Sequence, residues 1–181
     1  MSKSGLFAHF HSKEKLELAT LDHAWEIFSE VVLLPAAARR EGIERLWSLC
    51  DLWLKHIEDE VFPGSYFFTG AFFEYSGRSG LVPSRITEVV EKWWKALRDS
   101  VQAAQEKGEI EAEADPRRVS FELVGLLIGA HWAHLLRDGG AFRRARTAIL
   151  QLLARFATKD IPPTAFDSLS AWRKFLDERE Q

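Results

Sequence analysis

Two histidines, His131 and His134, have the residue type and spacing that could most directly support chemistry. They lie three positions apart in an apolar stretch, so a helix there would carry both imidazoles on one face. Two such imidazoles can contribute to a zinc site, but no cysteine lies near them in sequence and a third ligand must come from elsewhere. We therefore interpret them as polar groups at a ligand cavity or a subunit interface, with metal binding as the less favoured alternative.

The other reactive side chains do not form a catalytic set. Cys50 is the single cysteine, and a small buried thiol is its expected role. The carboxylates of Asp51, Glu74 and Glu122 are isolated, with no second carboxylate placed to complete an acid–base pair. No glycine-rich loop of the kind that binds phosphate is present. The sequence therefore predicts a protein that is not an enzyme and that carries no metal or cofactor.

Length and composition favour a soluble globular protein. A chain of 181 residues makes one domain, or one domain with a small appendage. Its 46% hydrophobic content excludes intrinsic disorder, and a single cysteine excludes an internal disulfide framework. The net charge of −3 means that any binding to nucleic acid needs a local basic patch. No signal peptide is visible, and the longest apolar stretch, residues 121–136, is too short to span a bilayer. We expect a cytoplasmic protein.

Apolar residues recur at spacings of three and four through most of the chain, which is typical of amphipathic helices. No segment alternates as a strand would, so the fold class is predicted to be all-α. Pro35 is expected to close the first long helix, and Arg143, Arg144 and Arg146 are expected on a solvated helix face. The predicted helices begin at Ser12 and continue with 40–59, 65–75, 83–106, 116–137, 141–157 and 164–181.

Residues 121–136 are apolar on nearly all sides, so a helix there must be covered on more than one face. Gly125 and Gly129, four residues apart, leave a flat strip that another helix can approach closely. A second subunit related by a twofold axis is the simplest cover, and a central position in a monomer is the alternative. We therefore predict a homodimer formed through about 116–157.

The segment SKSGLFAHFHSKEKL, residues 2–16, resembles the signature of the tetracycline-repressor (TetR) family of bacterial transcriptional regulators. In that family a small-Lys-x-Gly-x-aromatic-x-His-Phe run forms the DNA recognition helix, and Ser-Lys-Glu-x-Leu opens the next helix. A weaker match, GEIEAEADPRRVSFELVGLLIGAHWAHLL, is similar to the start of the penultimate helix of the family's C-terminal domain. The resemblance implies a TetR-like helical bundle over essentially the whole chain.

The resemblance also implies a DNA contact surface. A short helix can present side chains to base edges in the major groove, and residues 1–15 carry three lysines against one glutamate, a local balance of +2. Phe7 stands where the family more usually has tyrosine, so a hydroxyl that could bond a phosphate is absent. The predicted DNA-binding residues are Ser2, Lys3, Ser4, Phe7, Ala8, His9 and Lys13.

Family members have two further helices before the recognition helix, whereas Met1 stands here where that helix begins. We therefore expect a DNA-binding head that lacks its first helices, and we expect operator DNA to be bound by the full-length form that carries them. On this interpretation residues 1–30 are a partial helix-turn-helix domain with its connecting helix, and residues 31–181 are the ligand-binding and dimerisation domain.

In the family the C-terminal helices enclose a cavity whose occupant changes DNA affinity. Seven Trp and thirteen Phe residues suit a cavity for a flat apolar effector, although any one of them could simply fill the core. The implied function is a dimeric repressor that a small molecule releases from operator DNA; the alternative is a ligand-binding or sequestering protein with no DNA role. The predicted ligand-binding residues are Trp47, Trp53, Phe67, Phe68, Phe72, Trp93, His131, Trp132 and His134.

Overall fold

The structure is a computed structural model that describes residues 12–62 and 67–158. Within these ranges the chain is helical and contains no strand, apart from one isolated antiparallel bridge between Ile110 and Ala157. The all-α prediction is confirmed. The predicted helix over residues 164–181 and the recognition motif up to residue 11 lie outside the described residues. The helices are α1 (Lys13–Phe28), α2 (Leu34–Ala37), α3 (Ile43–Glu58), α4 (Phe67–Tyr75), α5 (Leu81–Glu106), α6 (Pro116–Leu135) and α7 (Ala141–Phe156).

The first helix begins as the sequence predicts but does not stop at Pro35. The Ser12 hydroxyl accepts a hydrogen bond from the Lys15 amide at 3.1 Å and caps α1. Pro35 has no N–H to donate to the carbonyl four residues earlier, and a π-helical turn over Ser29–Leu33 lies just before it. Pro35 then stands in the first turn of α2, where the missing donor is tolerated, so the expected closure at this residue is wrong.

One apolar core joins α1 to all the longer helices. The predicted stripes of α3 and α5 are buried, and α6 packs against α3, α5 and α7. Burying these stripes supplies most of the stability of short amphipathic helices, which are marginal alone. The largest fully buried side chains are Phe28, Ile43, Leu46, Trp53, Leu54, Phe68, Ile86, Leu97, Ile110, Leu123 and Leu127.

Among the described residues, only one side of α6 is covered by other helices of the chain. The core side carries residues such as Leu123 and Leu127, whereas Phe121 and Leu136 on the opposite side are 67% and 81% exposed. A Cβ placed at Gly125 or at Gly129 would meet no other atom within 4 Å, so the predicted flat strip is open. No helix in the described ranges is long and apolar enough to cross a bilayer.

The basic cluster of α7 is not uniformly solvated, so that expectation is corrected. Arg146 is only partly exposed and contacts two carboxylates of α3, because α7 packs its inward-facing side against that helix. Its Nε lies 2.7 Å from the Asp51 carboxylate, and its Nη2 lies 3.0 Å from that of Glu58. Arg143 and Arg144 are exposed as expected.

A buried carboxylate joins the start of α3 to the end of α5. Glu109 accepts a hydrogen bond from the Ile43 amide at 2.8 Å and an ion-pair contact from Arg40 at 2.5 Å. The carboxylate sits over Gly42, whose φ is +109°, and a Cβ at this glycine would collide with it. Glu109 therefore caps α3 from a distant part of the chain. Position 42 requires glycine, because any side chain there would meet the Glu109 carboxylate and would be strained at this positive φ.

We predict that Glu109→Ala lowers the free energy of unfolding by about 3 kcal/mol, because the Ile43 amide and the Arg40 guanidinium both lose their buried acceptor. Urea denaturation followed by circular dichroism measures the change. Glu113→Ala, at an exposed position in the same connection, is the control and should leave the midpoint nearly unchanged. Equal stabilities for the two variants would contradict this role.

Candidate ligand cavity and subunit face

An aromatic cluster fixes the end of α1 to the rest of the bundle. The Phe28 ring is completely buried. Rings from three other helices meet it edge-on: His56 of α3 at 5.7 Å, Phe68 of α4 at 6.2 Å and Trp93 of α5 at 5.5 Å between centroids. Trp25, one turn earlier on α1, stacks on Phe28 at 5.7 Å. Edge-to-face packing of this kind contributes beyond the burial of area alone.

A cavity of about 280 Å³ lies beside this cluster, enclosed by α1, α3, α4, α5 and α6. Its described lining is almost wholly apolar and includes four indoles; Thr69 is the one hydroxyl-bearing side chain among these residues. Such a surface suits a flat apolar molecule of moderate size. The lining residues are Trp25, Trp53, Phe68, Thr69, Phe72, Phe73, Val89, Val90, Trp93, Trp94, Val124, Leu127 and Ile128.

The structure brings four of the predicted ligand-binding residues together in this lining: Trp53, Phe68, Phe72 and Trp93. The other five lie elsewhere. Trp47 and His131 are buried, and the His134 ring packs on Phe142 at 4.9 Å between centroids. Trp132 is 52% exposed on the open side of α6, and Phe67 lines a different groove.

Sequence reasoning missed the whole of the wall supplied by α6 and α1 and part of that supplied by α5. Val124, Leu127 and Ile128 share a face of α6, and Trp94 follows the predicted Trp93 directly. Trp25 lies three residues before Phe28, on the same stripe of α1. The spacing of apolar residues predicts each of these stripes, but it does not indicate which stripe lines the cavity.

Two buried histidines have pKa values below the ordinary imidazole value. Burial lowers the pKa of His131, and the nearby His134 lowers it further. Burial also lowers the pKa of His56, which Asp59 only partly opposes. No group of three or more His, Cys, Asp or Glu side chains in the described ranges is placed to hold a metal ion.

A second, more open groove of about 650 Å³ runs between α1 and α4. Its floor includes Leu21 and Ile86, and its rim includes Glu17 and Tyr75. The Tyr75 hydroxyl donates a hydrogen bond to the Glu17 carboxylate, which raises the pKa of Tyr75 to about 12 and lowers that of Glu17. Helix α4 therefore has the aromatic cavity on one face and this groove on another, and a hydrogen bond links its end to α1.

Of the predicted DNA-binding residues, only Lys13 falls in the described ranges. It is the first residue of α1, and its exposed ammonium lies 3.1 Å from Glu17. The others, Ser2, Lys3, Ser4, Phe7, Ala8 and His9, lie outside the described residues.

Comparison with known families decides which group of proteins this bundle represents. The sequence model of the tetracyclin repressor-like C-terminal domain matches residues 42–149, more than half of the 181-residue chain. The chain belongs to this family. The resemblance noted in the sequence is thereby confirmed, and the helices from α3 into α7 correspond to the ligand-binding domain of TetR-family regulators. Members of the family are transcriptional regulators, which are not enzymes.

Solved structures share this TetR fold. A TetR transcriptional regulator from Chloroflexus aurantiacus superposes with a TM-score of 0.75 at 23% identity, covering 83% of this chain and 77% of its own. A TetR-family regulator from Cytophaga hutchinsonii gives 0.74 at 16% identity, covering 88% and 80%. AibR, solved in complex with isovaleryl coenzyme A and operator DNA, gives 0.66 at 19% identity, covering 87% and 81%. A comparison with curated protein sequences finds no match.

The buried histidines predict a pH-dependent stability. Their folded pKa values lie below the ordinary value near 6.5, so the unfolded chain binds more protons as the pH falls below that value. We expect the free energy of unfolding to decrease between pH 7 and pH 5, by at most about 1.4 kcal/mol per pH unit for each imidazole.

Denaturation series at several pH values measure this slope. His56→Gln and His131→Gln should each flatten it, whereas His23→Gln, at an exposed position of α1, is the control. A slope that neither buried substitution changes would show that other groups set the pH dependence.

Proposed function

We propose that this TetR-family protein is a ligand-responsive DNA-binding regulator that acts as a repressor. The observation that carries the proposal is the position of the aromatic cavity against α1. Trp25 of that helix lines the cavity, and the same helix begins at Lys13, directly after the recognition motif of residues 2–16. A ligand in the cavity would therefore touch the helix that is joined to the DNA-contacting segment.

We assign residues 1–30 to the DNA-binding part and residues 31–181 to ligand binding and dimerisation. The basic character of residues 1–15 supports the first assignment, since Lys3 and Lys13 can neutralise phosphates while the motif enters the major groove. The other proposed DNA contacts come from Ser2, Ser4, Phe7, Ala8 and His9. Two such units, set by a dimer at the spacing of one helical turn, about 34 Å, would occupy successive grooves.

The proposed dimer forms through about 116–157, and the second copy is favoured by the shape of this face. Phe121 protrudes from α6, while a hollow of about 700 Å³ lies one turn away between α6 and α7. Gly125, Leu126 and Leu152 line this hollow. A twofold axis can place the protruding ring of each copy in the hollow of the other, because an isologous interface pairs one patch with itself.

The effector is a neutral, largely apolar molecule or the apolar part of a larger one. No carboxylate occurs among the described lining residues, so a buried cation would lack a counterion. Burial of an anion would meet the same penalty, because Thr69 offers only a hydroxyl. The isovaleryl group seen with AibR is likewise apolar, and an acyl group of that kind suits the volume of this cavity.

Regulation follows from unequal binding to two arrangements of the dimer. A ligand that fits the cavity in only one arrangement of α1 increases the population of that arrangement. If that arrangement separates the two DNA-binding segments by a distance that does not match successive major grooves, the repressor dissociates from its operator. The coupling is reciprocal, so operator DNA lowers the affinity for the same ligand.

We predict that N-phenyl-1-naphthylamine, a neutral aromatic probe, binds with micromolar affinity and quenches the tryptophan emission of the lining. Val124→Phe extends a ring into the cavity and should weaken binding at least tenfold. Val31→Phe makes the same change at an exposed position of the π-helical turn and is the control. Unchanged affinity in Val124→Phe would remove the cavity from the proposal.

We further predict that the full-length form, which carries the complete DNA-binding head, selects an inverted repeat from a pool of random DNA duplexes. Lys3→Ala should weaken binding to the selected duplex and reduce the slope of log affinity against log salt by about 0.9, as for one lost phosphate contact. Lys95→Ala, which removes an exposed charge from α5, is the control. Enrichment of no sequence would instead favour the alternative of a ligand-binding protein with no DNA role.

A further inference from the structure

We infer that the partner subunit completes the ligand cavity at the point where Phe73 of α4 meets Trp132 of α6. This inference rests on the dimer of the proposed function and adds a consequence to it. The described residues of one chain leave one edge of the cavity exposed. The apolar face of a second copy can cover this edge.

A chain of ring contacts leads from the cavity to the proposed interface. Phe72 and Phe73 both line the cavity, with centroids 6.3 Å apart, and the Phe73 ring meets Trp132 edge-on at 6.4 Å. Phe73 is 60% exposed and Trp132 is 52% exposed. Phe73 therefore belongs at once to the wall of the cavity and to the exposed aromatic surface beside α6.

The geometry of α6 makes the cavity wall and the interface adjacent strips of one helix. Each residue advances by 100° around the axis, so Ile128 and Trp132 differ by about 40°, and Val124 and Phe121 by about 60°. The first member of each pair lines the cavity, and the second is exposed on the open side. A helix packed on the Gly125 strip at the usual distance of about 8–10 Å would also cover the neighbouring rings.

The second copy is the occupant that the chain's own features favour. The exposed rings of Phe73 and Trp132 are continuous with the face that carries the protruding Phe121 and the hollow at Gly125. A patch of exposed aromatic rings this extended is uncommon on a monomer. Covering it excludes water from the edge of the cavity, so a bound ligand gains contact in the dimer that it lacks in the monomer.

Ligand binding and dimerisation are therefore thermodynamically linked: the ligand strengthens the dimer by the same factor by which the dimer strengthens ligand binding. Gly125→Glu provides the test, because a Cβ there meets no atom within 4 Å and the residue does not line the cavity. The folded monomer should tolerate the new side chain, whereas the interface would bury its charge. Gly139→Glu, in the turn between α6 and α7 and equally open, is the matched control.

Sedimentation and titration with N-phenyl-1-naphthylamine are measured on the wild type and both variants. We expect dimers for the wild type and Gly139→Glu, monomers for Gly125→Glu, and at least a tenfold weaker probe affinity for the monomer. Gly129→Lys repeats the test, with circular dichroism to confirm folding in each case.

A folded, monomeric variant that binds the probe as tightly as the wild type overturns the inference and leaves the cavity of the proposed function intact. A wild type that binds the probe as a monomer also overturns it. A dimeric wild type that does not bind the probe shows instead that the proposed cavity itself is wrong, and the inference fails with it.

Discussion

The burial of Phe28 is the constraint on which the rest of the structure depends. Its ring receives the edges of rings from α3, α4 and α5, so three helices converge on the last turn of α1. Because these rings are held at fixed angles around one side chain, the space they leave beside Trp25 and Trp93 has a defined shape. The cavity is therefore a consequence of how α1 is anchored, and its wall includes the anchored helix itself.

The wall opposite this anchor is held more weakly. Helix α4 has nine residues, too few to be stable alone, and of its apolar side chains only Phe68 is fully buried. The aromatic cavity and the open groove lie on two of its faces, and the hydrogen bond between Tyr75 and Glu17 links its carboxyl end to α1. Elements that respond to ligands are drawn from such sparsely packed parts of a fold, whereas the Glu109 junction and the α3–α5 stripes belong to its stable part.

Periodicity predicted the helices and much of the core because burial of one stripe leaves a direct trace in the residue order. It could not predict which buried stripes border a void. His131 and His134 illustrate this limit: three residues apart on one helix, they point to different neighbours, one into the core and the other towards Phe142. Pro35 shows a second limit, since a proline ends a helix only when the chain cannot rearrange the turn before it. Glu109 capping α3 across the chain is a contact that no local pattern indicates.

The π-helical turn at Ser29–Leu33 determines how far α1 is rotated about the helix axis relative to α2. A π turn contains about one residue more than an α turn, and one residue corresponds to a rotation of roughly 100°. The whole of Lys13–Phe28 is thus rotated about the helix axis relative to an uninterrupted helix ending at Ala37. The one additional residue of the π-helical turn thus sets the rotational position of the start of α1, which lies roughly 24 Å away along the helix axis. The π-helical turn therefore determines the direction in which the side chains at the start of α1 point, while the packing of α2 stays the same.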